Sequence, residues 1–221
     1  MLSRRQFLHQ ASKAAIAAGV SRGALSRDPS SHSFTFRSPY IKLELSAAVP
    51  AFVSLTTDSL GKGDFAPSPM LPEEQTGNSR FVSRATHRHI RYYDEETTSL
   101  KPLWEVSCRE KEITLSTHYR ESKEPPPFGM TFSQKANHCT VLGSMTPEGR
   151  LHFPCVLHLP GMGTFRIHCD APGVTLGYDA DRKTPQPFVR LSFAGATSTC
   201  SVIRYRLESV AIHPNLPRDL L

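Results

Sequence analysis

The chain has 221 residues, with 26 Lys and Arg against 20 Asp and Glu and a formal net charge of +6 when histidines are neutral. Its basic residues form no stripe interleaved with aromatics, which argues against a nucleic-acid partner. Its five cysteines, at 108, 139, 155, 169 and 200, include no Cys-x-x-Cys pair, which excludes a zinc ribbon or a thioredoxin-like centre.

Taken in chain order, the first segment reads as an address. Ser3-Arg4-Arg5-Gln6-Phe7-Leu8 resembles the twin-arginine export motif, and a weakly apolar, alanine-rich run follows at residues 14–20. That run is too short and too weak to span a bilayer. Ala24-Leu25-Ser26 fits a small-x-small cleavage site, so residues 1–26 are read as a signal peptide and 27–221 as one mature domain. Arg4, Arg5, Lys13 and Arg22 leave with the signal, and no acidic residue does, which leaves 22 basic residues against 20 acidic ones. The mature protein is expected in the periplasm or secreted, with no membrane contact after cleavage. Arg4→Lys with Arg5→Lys is expected to strand the precursor in the cytoplasm, and unimpaired export of that pair, followed by cell fractionation, would refute the assignment. Export in the folded state means that the cysteines form no disulfide needed for folding; they are expected as buried thiols.

The mature chain reads as β throughout. "YIKLELS" sets Ile41, Leu43 and Leu45 against Lys42 and Glu44. "EITLSTH" sets Ile113 and Leu115 against Thr114 and Ser116, and "PFVRLSF" sets Val189, Leu191 and Phe193 against Arg190 and Ser192. "CSVIRYRLESVAI" places Ile203, Tyr205 and Leu207 opposite Arg204 and Arg206. A period of two marks antiparallel strands with one buried face. Turn formers separate the runs at Gly61-Lys62-Gly63, Pro147-Glu148-Gly149 and Ala171-Pro172-Gly173, among others. No window outside the signal carries an apolar stripe at helical spacing. The expectation is a single, large, antiparallel β-sandwich, with residues 64–83 as a long loop.

One stretch admits two chemistries. "CVLHLPGM", residues 155–162, spaces Cys155, His158 and Met162 as Cys-x2-His-x3-Met, the order of ligands on a blue-copper loop. The same residues also alternate as a strand. Leu151, Phe153, Cys155, Leu157 and Leu159 share one face, and Phe165, Ile167 and Cys169 share one face after the turn. Folding about Met162 opposes Cys155 to Cys169, Leu157 to Ile167 and Leu159 to Phe165. Cys155 and His158 then lie on opposite faces, three residues apart, with His158 beside Arg166. The hairpin is preferred, and no metal or other cofactor is assigned.

The other polar groups carry weaker signals. His87, His89, His118 and His138 could each supply an imidazole. His87 and His89 have the spacing of one strand face, but Arg84, Arg88 and Arg91 make their surroundings positive, so an exposed basic face is expected. Asp94-Glu95-Glu96 reads as a solvated turn. No nucleophile elbow, His-Glu-x-x-His or phosphate loop occurs, so no catalytic residue is named and the binding residues are left open.

Two stretches together carry a resemblance. "SPYIKLELSAAVPAFVSLTTDSLGKGDF" and "GRLHFPCVLHLPGMGTFRIHC" resemble the N-terminal β-sandwich of bacterial exported six-hairpin glycosidase-like proteins. The resemblance implies a sandwich that accompanies a helical (α/α)6 barrel, with the paired carboxylates of hydrolysis on the barrel and none on this chain. It implies a carbohydrate or a helical glycosidase domain as partner, and a chain that is not an enzyme by itself. A cupredoxin-like copper electron carrier and a stand-alone exported binding module remain the alternatives.

Overall fold

The computed structural model describes residues 24–27, 33–68, 70–71, 81–95, 101–119, 124–133, 140–159, 163–181 and 188–210. The described residues form fifteen strands and no helix. The first four are β1 (Ala24–Arg27), β2 (Ser33–Arg37), β3 (Ile41–Ser46) and β4 (Phe52–Thr57). Next come β5 (Phe81–Ala85), β6 (His89–Asp94), β7 (Trp104–Cys108), β8 (Glu112–His118), β9 (Phe128–Ser133) and β10 (Thr140–Leu142). The last five are β11 (Cys155–Leu159), β12 (Gly163–Cys169), β13 (Gly177–Asp181), β14 (Phe188–Phe193) and β15 (Val202–Val210).

All strand pairs within the sheets are antiparallel. An eight-stranded sheet runs in the order β10-β11-β12-β15-β8-β7-β6-β5. A four-stranded sheet, β1-β2-β3-β4, and a three-stranded sheet, β13-β14-β9, pack on it. The protein is an all-β antiparallel sandwich.

Side-chain alternation accounts for the core. On β15, Ile203, Tyr205 and Leu207 are buried while Arg204, Arg206 and Glu208 are exposed. Leu207 faces Ile167 on one side and Ile113 on the other, so one apolar row crosses three strands. Phe128 joins the layers: its ring meets those of Phe52 at 5.2 Å, Trp104 at 5.3 Å and Tyr92 at 6.0 Å, each edge to face. The aromatic polar tips are satisfied where they leave the apolar region. Trp104 Nε1 donates to the Pro126 carbonyl at 2.7 Å, Tyr92 Oη to Ser46 at 2.8 Å and Tyr205 Oη to Ala194 at 2.9 Å. Each bond ties the eight-stranded sheet to chain outside it and avoids the cost of an unsatisfied buried donor.

Four local expectations are corrected. The stretch 64–83 is not all loop, because residues 81–83 begin β5 and Met70 is buried with an isolated bridge to Phe132. Asp94 is not part of a solvated turn; it ends β6 and is buried, while Glu95 is exposed. His87 lies in the bend between β5 and β6, so it does not share a strand face with His89. The strand before the Pro-Gly turn starts only at Cys155, because Pro154 has no N–H to donate to a ladder.

The hairpin forms as β11 and β12, but two residues out of the expected register. Cys155 opposes Ile167, Leu157 opposes Phe165 and Leu159 opposes Gly163. Cys169 opposes Tyr205 of β15 instead of Cys155. The face assignment is as expected: Cys155, Leu157, Phe165 and Ile167 are all buried. The export motif with Arg4 and Arg5, and also Met162, His138 and Cys139, lie outside the described residues. Ala24, Leu25 and Ser26, expected at the cleavage site, form most of β1 on the edge of the four-stranded sheet.

Candidate functional site

The loop after β4 is built by one carboxylate. Asp58 accepts from the backbone N–H of Leu60 at 2.9 Å through Oδ1, and from Lys62, Gly63 and Asp64 at 2.7, 2.8 and 3.2 Å through Oδ2. Slight burial works to raise the Asp58 carboxyl, but the four donors outweigh it and hold it below the ordinary carboxylate range. Gly61 and Gly63 take φ of +67° and +80° within this loop, a region that an L side chain enters only with strain. Gly61 also lies against the ring of Tyr40, where a Cβ would come within 2.6 Å. The loop is thereby folded down onto the β2–β3 turn.

That fold-over makes a cleft. Arg37 ends β2, and its Nη2 donates to the Gly63 carbonyl at 3.3 Å, with its guanidinium carbon 5.5 Å from the centre of the Phe65 ring. Lys42 lies directly opposite Arg37 across the β2–β3 pair. Two cations facing each other on one strand pair repel, a cost that no ion pair to Lys42 offsets among the described residues. Arg37, Lys42, Gly63, Asp64, Phe65 and Ala66 line an open cleft of about 480 Å³, a size within the range of small-molecule sites. Sequence reasoning saw Gly61-Lys62-Gly63 as a turn and Lys42 as an outward residue, and missed the site. The available signal was the pair of cations bracketing a four-residue turn, Arg37-Ser38-Pro39-Tyr40-Ile41-Lys42.

The Cys-x2-His stretch is arranged differently from a metal loop. Cys155 points into the core, and burial pushes its thiol up to about 12, which opposes the thiolate a metal ligand must be. His158 is three residues along the same strand, with Nδ1 3.0 Å from Thr164 Oγ1, and partial burial lowers its imidazole below the ordinary value. It shares a strand face with Arg166, as expected, but Thr164 is its direct neighbour and Arg166 opposes Val156. Cys108 is likewise buried with its thiol pushed up to about 12, and Cys108, Cys155, Cys169 and Cys200 are all free.

The outer face of β6 and β7 carries a third polar group. Arg91 Nε donates to Glu105 Oε2 at 2.8 Å, and His89 Nδ1 lies 3.1 Å from Glu105 Oε1. Partial burial works to raise the Glu105 carboxyl; hydrogen bonds and charge from Arg91 and His89 override it and leave it below the ordinary range. Glu105 is thus occupied by two partners, the Arg91 guanidinium and the His89 ring.

The chain matches no protein-family model and no curated protein.

Proposed function

We infer that the chain is a non-catalytic, carbohydrate-related β-sandwich domain of an exported glycoside-hydrolase-like protein, acting beside a helical catalytic domain. The two stretches that carry the resemblance form the β3–β4 and β11–β12 hairpins. They meet inside the sandwich, where Gly163 lies against Thr57. The non-catalytic part is supported by the resemblance those two hairpins carry, which puts the paired carboxylates of glycoside hydrolysis on the helical barrel. Such a pair is a general acid beside a second carboxylate about 5–10 Å away.

The test is electrophoresis of the native protein through gels containing pectate, alginate, xylan or starch, with a parallel assay for new reducing ends. Retarded migration in at least one gel, with no reducing ends released, is the expected result. Release of reducing ends that stops on changing one Asp or Glu of this chain would overturn the reading.

A further inference from the structure

We propose that the cleft between Arg37, Lys42 and residues 63–66 binds an acidic saccharide, a uronate unit, through its carboxylate. The identification of the ligand as a saccharide rests on the functional reading above; the charge selectivity rests on the cleft itself. Arg37 and Lys42 face each other across two paired strands. An anion between them removes their repulsion and gains charge-assisted hydrogen bonds from both. Arg37 is already oriented for this by the Gly63 carbonyl and the Phe65 ring, so little side-chain freedom is lost on binding. Lys42 is exposed and has no ion-pair partner among the described residues.

The remaining lining suits the rest of a sugar acid. Asp64 is among the residues that line the cleft, and a carboxylate accepts hydrogen bonds from hydroxyl groups. Phe65 and Ala66 add apolar surface suited to the C–H face of a pyranose ring. A cation pair for the carboxylate, an acceptor for hydroxyls and a small apolar wall together match a uronate. The Asp58 turn fixes the backbone of Gly63 and Asp64 through two of its four hydrogen bonds, so this wall of the cleft is set before a ligand arrives.

The experiment is calorimetric titration of the full chain with trimers of galacturonate and of mannuronate, each compared with its uncharged methyl ester, and with succinate as a sugar-free anion. At least one acid trimer is expected to bind, about tenfold or more tighter than its ester, with affinity falling as salt is added. Lys42→Glu is expected to weaken that binding about tenfold or more, and Lys42→Met to weaken it less; the position is exposed, so circular dichroism should stay unchanged in both variants. Equal binding of acid and ester, untouched by Lys42→Glu, would overturn the cleft while leaving the carbohydrate reading in place. Failure of both acid trimers to bind would overturn the proposal. Binding of succinate alone, lost in Lys42→Glu, would overturn the saccharide as this cleft's ligand, while the carbohydrate reading stands or falls on the gel test.

Discussion

Replacing Phe128 with alanine is expected to cost about 4 kcal/mol of folding stability, near the upper end for loss of a buried aromatic. Phe128 is fully buried on β9 and touches one ring from the four-stranded sheet, Phe52, and two from the eight-stranded sheet, Tyr92 and Trp104. Its removal therefore takes away three edge-to-face contacts as well as the burial of one ring. The hole opens where all three sheets meet. None of them can close it alone, because the Trp104 and Tyr92 tips are held to Pro126 and Ser46. Urea denaturation followed by the single tryptophan's fluorescence measures the change, which corresponds to a fall in melting temperature of roughly 10 °C for a domain of this size. Phe128→Leu, which keeps most of the volume, should lose less than half as much. A loss under about 1 kcal/mol for the alanine variant would mean that the sheets are not joined through this ring.

Gly163→Ala should destabilise the fold by about 3 kcal/mol, although it adds one methyl group. Gly163 opens β12 at a φ of +110°, and a Cβ there would lie 2.3 Å from Thr57 Cγ2. Thr57 cannot simply turn aside. Its hydroxyl donates to the Tyr40 carbonyl at 2.9 Å and is buried against the Ser209 hydroxyl. The two contributions, backbone strain and collision, separate in a double-mutant cycle. Thr57→Ser deletes the colliding methyl and keeps the hydroxyl, so Gly163→Ala on that background should cost about 1–2 kcal/mol less. The same cost on both backgrounds would show that Gly163 does not pack against Thr57.

Strands β3, β8, β14 and β15 were legible because each buries one face and exposes the other, so period two is written directly into their residues. β9, "FGMTFS", has no such alternation, since its first five residues are buried on both faces; Gly129 donates to the Pro50 carbonyl and bridges Ala51. The β11–β12 register was legible only to a multiple of two. A slip of two residues keeps every apolar side chain on the core face, so alternation alone cannot choose between a turn centred on Gly161 and one centred on Met162. The observed register places Gly163 opposite Leu159, where its positive φ is needed. The cleft was not legible for a different reason. Arg37 and Lys42 become neighbours through the β2–β3 pairing, but Asp64 and Phe65 join them only because Asp58 gathers four backbone N–H groups and folds the loop back. Nothing in the local pattern distinguishes that aspartate from an ordinary turn residue.

The central claim, a domain that binds an acidic glycan and does not cut it, is tested most directly by one nuclear magnetic resonance titration of the full chain with oligogalacturonate and oligomannuronate. Amide signals of the protein and anomeric proton signals of the sugar are followed in the same sample. Saturable shifts confined to Arg37, Lys42 and residues 58–66, with the anomeric signals of new reducing ends still absent after a day, are the predicted result. Growth of reducing-end signals, or shifts centred on the exposed face of β8 and β15 with Lys42 unmoved, would contradict it.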